Sequence, residues 1–177
     1  MAKRSAGLLM YRYRGGALEL FLVHPGGPYF RRKDAGIWSI PKGEYTIEED
    51  AFDAARREFH EETGFTADGE FLPLGDIRQR GGKRVTAWAF ERDGDAASIR
   101  SNSYQIEWPP RSGRQREFPE VDRAGWFSPE EARRRILPSQ TELIDRLLEQ
   151  LAARPGASAA AEQAALQHAR RKPHVSV

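Results

Sequence analysis

The stretch from Gly43 to Phe65, GEYTIEEDAFDAARREFHEETGF, places Glu58, Glu61 and Glu62 at spacings i, i+3 and i+4. On a helix of about 3.6 residues per turn these three carboxylates share one face. Like charges at such spacings destabilise a helix by a few tenths of a kcal/mol per pair in water. At an effective dielectric constant of about 20, two charges about 4 Å apart repel by about 4 kcal/mol. A cation over the cluster would remove that cost. Hard oxygen donors at helical spacing suit Mg²⁺ or Mn²⁺, whose remaining coordination positions go to water and phosphate oxygens.

The rest of the chain limits what such a site can serve. Its 177 residues are enough for one domain with a substantial core. Without cysteine there is no disulfide framework, no thiol catalysis and no cysteine-based zinc site. The early apolar run Ala6 to Met10 is too short for a signal peptide, and no run is long enough to span a bilayer. A cytoplasmic location with no membrane partner is the expectation. The net charge of +2 is unevenly spread, with residues 154–177 carrying about +3 and residues 1–153 about −1. The high isoelectric point therefore belongs largely to the tail and gives little ground for a nucleic-acid partner.

Patterning divides the chain into residues 1–153 as one domain and residues 154–177 as an Ala-rich basic tail, either an appended helix or mobile. Ser5 to Tyr13 and Leu18 to Val23 read as strands joined at Gly15-Gly16 in a hairpin. His24 to Trp38 is loop-like, and Trp38-Ser39-Ile40 is a short strand end before Pro41. Thr46 and Glu49 have the form of a capping box, which predicts a helix from Thr46 to a stop at Gly64. Phe52, Ala55 and Phe59 form its core face. Phe71 to Arg78 and Arg84 to Phe90 read as strands, Tyr104 to Trp108 as another, and Pro109 to Glu120 as an irregular basic loop. A short strand is expected at Gly125 to Phe127. Ser128 and Ser139 are expected to cap two further helices. Strands, helix, strands and helices in that order predict an α+β chain, an α/β/α sandwich around a mixed sheet.

The central stretch reads Gly43-x5-Glu49-x7-Arg57-Glu58-Phe59-x-Glu61-Glu62-x-Gly64-Phe65. It resembles the Nudix box, G-x5-E-x7-R-E-U-x-E-E-x-G-U with U apolar, at every fixed position. A looser resemblance to the Nudix domain runs from about Ser5 to Leu151. The resemblance implies the Nudix fold and a hydrolase in which water attacks a phosphorus of a pyrophosphate linkage with Mg²⁺ (or Mn²⁺) assistance. It implies metal ligation by Glu58, Glu61, Glu62 and the carbonyl of Gly43, with Arg57 orienting the carboxylates and Glu61 and Glu62 among the catalytic groups. Many members of the family carry a further carboxylate shortly before a Trp of the last strand. Glu120, ahead of Trp126, has that place and is the candidate for an extra metal ligand or general base; Glu117 and Glu107 are its rivals. An ordinary surface role is the alternative for each. Glu49 is explained by helix capping, with contact to a metal as its further role to test, and Arg57 could form only a helical ion pair.

Trp38-Ser39-Ile40-Pro41-Lys42-Gly43-Glu44 resembles the W-x-x-P-K-G-H/E segment of dinucleoside polyphosphate hydrolases and of some nucleoside triphosphate pyrophosphohydrolases. By that likeness Lys42, Trp38 and Arg31 are candidate substrate-binding residues, with Lys42 adding positive charge beside the phosphates. Arg32, Lys83, Arg111, Arg114 and Arg116 could extend a cationic track, and Tyr29, Phe30, Tyr104 and Trp108 are candidates to stack on a base. The expected activity is cleavage of nucleoside polyphosphates, either triphosphates or dinucleoside polyphosphates, with a small nucleotide as partner. The rivals are a pyrophosphohydrolase of RNA 5′ ends and a Nudix domain that senses nucleotides without hydrolysis. Oligomeric state has no signal in the sequence.

Overall fold

The computed structural model describes residues 3–155. Of the tail expected over residues 154–177, everything from residue 156 onward lies outside the described residues. The first hairpin forms as its pattern predicts, with β1 (Arg4–Arg14) and β2 (Ala17–Pro25) antiparallel in the register Tyr11↔Leu20. The short β3 (Lys42–Glu44) lies antiparallel to the start of β1, pairing Gly43 with Ala6. The other edge of β1 is parallel to β5 (Arg84–Glu91), which in turn pairs antiparallel with β4 (Phe71–Arg78). β8 (Val121–Phe127) closes the sheet against β2, giving the order β4-β5-β1-β2-β8. One parallel pairing among antiparallel ones makes the sheet mixed.

Alternation along β1 sorts the core into two layers. Leu8 and Met10 point to one face, where Ala54, Ala55 and Phe59 of helix α1 (Ala51–Thr63) pack with Phe21 and Phe90. Leu9 and Tyr11 point to the other, covered by Ala132 and by Leu143, Ile144, Leu147 and Leu151. Those residues belong to α2 (Pro129–Arg135) and α3 (Thr141–Ala152). The result is the α/β/α sandwich expected from the order of elements. Among the described residues no helix is long and apolar enough to cross a membrane.

The structure revises three local expectations. Helix α1 starts at Ala51 instead of after Thr46, because Asp50 is the N-cap and its carboxylate accepts from the Phe52 and Asp53 N–H groups. Thr46 to Glu49 forms a turn instead, closed by Glu49 N–H to the Thr46 carbonyl. Gly64 ends the helix in the left-handed conformation at φ 77°, which favours glycine. Ser139 does not cap α3. It lies in a 3₁₀ turn, and α3 follows the buried Gln140, whose side-chain oxygen accepts from the Ile40 N–H. Finally, the stretch expected as an irregular basic loop contains a strand. β7 (Gln115–Pro119) pairs with β6 (Ser103–Glu107) as a separate two-stranded arm, Tyr104 opposite Phe118. The adjacent charges Arg116 and Glu117 break that strand's alternation, and the cross-strand ladder supplies what the pattern lacks.

Replacing Asp50 by Ala should cost about 1 kcal/mol in urea unfolding. Thr46→Ala should stay within about 0.5 kcal/mol. Phe59→Ala should cost about 3–5 kcal/mol as a core cavity.

Candidate active site

The acidic face of α1 meets β3 because the Ala6↔Gly43 register turns Gly43 toward the helix. A Cβ at Gly43 would come within 1.9 Å of a Glu58 carboxylate oxygen, so only glycine lets that carboxylate lie on the strand. Glu58 is 8% exposed. Burial raises its proton affinity above the ordinary carboxylate range, and Arg57 only partly offsets this. Glu62 accepts the Lys42 backbone N–H at 3.0 Å. Burial pushes its carboxyl upward too, opposed by Lys42 and reinforced by Glu58 and Glu120. Glu120 retains solvent contact, yet partial burial and the charge of Glu61 raise it as well. Glu58, Glu61, Glu62 and Glu120 are thus brought close enough for their charges to act on one another.

A single guanidinium spans much of this charge. Arg57 makes a two-pronged contact with Glu49, Nε to Oε1 at 2.8 Å and Nη2 to Oε2 at 3.0 Å. Its Nη1 donates to Glu58 at 2.7 Å and reaches Glu61 at 3.3 Å. Nη2 also reaches the Glu44 carbonyl at 3.4 Å. The Glu49 pairing, ahead of that with Glu58, holds the guanidinium firmly protonated despite desolvation. Glu49 therefore serves Arg57 rather than the helix cap.

Backbone bonds place Glu120 beside the helix. Asn102 N–H donates to the Glu61 carbonyl at 2.8 Å, and Glu120 N–H donates to the Asn102 carbonyl at 2.8 Å. Gly26 N–H then donates to the Glu120 carbonyl at 2.9 Å. Lys42 flanks the cluster on the Glu62 side. Among the described residues its ammonium has no carboxylate within 4.0 Å, and burial lowers its pKa. Arg31 lies further off, on the wall of a cleft next to Glu120.

Trp38 is placed differently from the substrate contact expected of it. It is 3% exposed, its Nε1 donates to Asp34 at 2.8 Å, and its ring packs edge-on against His24 and Phe127. Its role is packing, since the apolar strand end that carries it is drawn into the core. One polar pair had no signal in the sequence. The fully buried His24 places Nδ1 2.7 Å from Asp122 and Nε2 2.7 Å from the Lys33 carbonyl. Only the β2–β8 pairing brings its partners together.

Among the described residues no three His, Asp or Glu side chains already converge on one metal position. Arg57 and the Lys42 N–H engage three of the carboxylates. The donor set nonetheless fits a hard divalent cation, with carboxylate oxygens at one surface and proton affinities raised by burial and mutual repulsion.

The sequence profile described as the NUDIX domain matches residues 1–147. The chain belongs to the Nudix hydrolase superfamily. It is by that membership a Nudix-type hydrolase of pyrophosphate bonds. Solved structures share the fold. A Caenorhabditis elegans Ap4A hydrolase in a binary complex is 21% identical with a TM-score of 0.62, covering 86% of this chain and 100% of that one. The NUDIX domain of Shewanella oneidensis NrtR, complexed with ADP ribose, is 16% identical with a TM-score of 0.60, covering 85% of this chain and 89% of that one. The Escherichia coli ORF135 protein is 21% identical with a TM-score of 0.54, covering 87% and 95%. In Nudix terms, the box helix is α1 and its opening glycine lies on β3.

Gly43→Ala should displace the Glu58 carboxylate, the movable end of a side chain, and so weaken stabilisation by Mg²⁺ in thermal unfolding more than it destabilises the Nudix domain itself. Mg²⁺ at about 100 times its Kd should stabilise the wild-type protein by about 2.7 kcal/mol in thermal unfolding. Glu58→Gln should reduce that gain.

Proposed function

We propose that the protein is a Mg²⁺-dependent (or Mn²⁺-dependent) hydrolase that cleaves the pyrophosphate linkage of nucleoside polyphosphates by water attack at phosphorus. The observation that carries this reading is the pairing of two opposite features at one surface. Four mutually repelling carboxylates lie beside Lys42, an ammonium without an ion-pair partner among the described residues. A substrate that is itself anionic but brings a cation satisfies both.

Glu58, Glu61, Glu62 and the Gly43 carbonyl would hold the metal. When bound, the ion neutralises phosphate charge and lowers the pKa of bound water. The chain's own groups do the rest. Arg57 fixes the Glu58 and Glu61 carboxylates, so they need not reorganise as substrate arrives. Lys42 Nζ binds phosphate oxygens as a point charge. Glu120 takes the proton of the attacking water at its carboxylate.

With Mg²⁺ and a panel of pyrophosphate-containing nucleotides, the protein should release a defined phosphate product; no release from any member of the panel sinks the proposal. Glu61→Gln and Glu62→Gln should each abolish turnover with an unchanged circular-dichroism spectrum. Glu120→Gln should lower kcat by about 10²–10⁴-fold if it is the base. A loss confined to metal affinity would instead assign it to ligation.

A further inference from the structure

Glu120 immediately precedes β8, and the pairing at that end of the strand is irregular. Phe21 opposes Trp126, Val23 opposes Ala124 and His24 opposes Arg123, but Pro25 opposes Val121. Asp122 is therefore an extra residue in β8, a β-bulge. One extra residue shifts the alternation of side chains between the two faces. Trp126 and Ala124 face the α1 layer, so unbroken alternation would send Asp122 there and Val121 to the opposite layer. The structure has the reverse. Val121 is 5% exposed and packs in the cluster of Ala54, Ala55 and Phe59 under α1. Asp122 turns instead to His24, on the side of Trp38 where Arg123 also lies. With Val121 seated beneath the helix, Glu120 enters at the helix edge.

Two bonds hold the bulge in place. His24, fully buried, meets the Asp122 carboxylate through Nδ1 at 2.7 Å and the Lys33 carbonyl through Nε2 at 2.7 Å. Both neighbours are acceptors, so both ring nitrogens donate. Two residues after His24, the Gly26 N–H donates at 2.9 Å to the carbonyl of Glu120, two residues before Asp122. The segment His24-x-Gly26 thus grips Glu120-x-Asp122 by one side-chain bond and one main-chain bond. The grip is tight, since a Cβ at Gly26 would come within 1.9 Å of the Pro119 carbonyl oxygen. A buried ion pair adds little net stability over apolar residues of the same volume. What this one supplies is direction.

We infer that the His24–Asp122 pair positions Glu120 for the reaction by locking the β-bulge that seats Val121 under α1. His24 and Asp122 are positioning residues, acting through Glu120. The inference rests on the reading of Glu120 as the proton acceptor.

The experiment is Asp122→Ala on the Mg²⁺-loaded protein, assayed with the nucleotide that the wild-type protein cleaves best. kcat should fall about 10–100-fold, as expected of a displaced catalytic group, with KM and the stabilisation by Mg²⁺ nearly unchanged. Asp122→Asn, whose side-chain oxygen can still accept from Nδ1, should stay within about threefold of the wild-type kcat. In a Glu120→Gln background Asp122→Ala should bring no further loss, because groups that act as one unit are not additive. An undiminished kcat in Asp122→Ala, or an equal further loss in the Glu120→Gln background, overturns the inference. Amide hydrogen exchange gives a readout independent of turnover. In Asp122→Ala the Gly26 N–H should speed up about tenfold more than the Leu8 N–H, which is bonded to the Pro41 carbonyl far from the bulge. Acceleration of both amides by the same factor, or of neither, overturns the lock. If the wild-type protein cleaves no nucleotide, the hydrolase reading fails by itself, and the exchange result alone decides whether the pair holds Glu120.

Discussion

Among the described residues, the Arg57 guanidinium is the one cation that bonds the acidic face of α1 to the segment before it. It bridges Glu49, Glu58 and Glu61 and touches the Glu44 carbonyl, so it joins the helix to the turn that precedes it. A lysine could meet one of these partners as a point charge, but the planar fork meets several in fixed directions. One positive charge against three carboxylates still leaves a negative balance, and Glu62 and Glu120 add to it. The raised proton affinity of Glu58, despite a guanidinium 2.7 Å away, shows that burial outweighs that contact. The arrangement is therefore ordered and undercompensated at once, which suits a surface that must accept further positive charge.

Core packing decides where this surface stands. Phe59 is buried among Leu8, Met10, Phe21 and Phe90, and Glu58, one residue earlier, falls at the rim of the same interface. Side chains alternate along a strand, so moving β3 by one residue against β1 would replace Gly43 with a side chain and evict the Glu58 carboxylate. The apolar faces of β1 on both sides of the sheet fix that register. The chemistry of the helix thus depends on hydrophobic alternation in a strand distant in sequence.

These dependencies explain what could and could not be read from the chain alone. The helical spacing of Glu58, Glu61 and Glu62, the Gly15-Gly16 hairpin and the Leu143 to Leu151 stripe are local patterns, and all three fold as their periods require. The start of α1 was a competition between two local signals, which Asp50 won by reaching two N–H groups. Strand β7 carries Arg116 and Glu117 where a clear strand would show apolar residues, so only its partner β6 reveals it. The surroundings of Trp38 and the His24–Asp122 pair are tertiary. Neither residue has a neighbour in sequence that would betray whether it faces a ligand or the core.

Glu120 illustrates how a site can combine a rigid part with an adjustable one. Its position comes from main-chain bonds running from Glu61 through Asn102 to Glu120 and on to Gly26. Such bonds are indifferent to side-chain identity. The β6–β7 arm between Asn102 and Glu120 hangs from this seam as a separate two-stranded sheet, outside the main core. Substitutions along the arm can therefore reshape the cleft that it lines while the seam keeps Glu120 in register with α1.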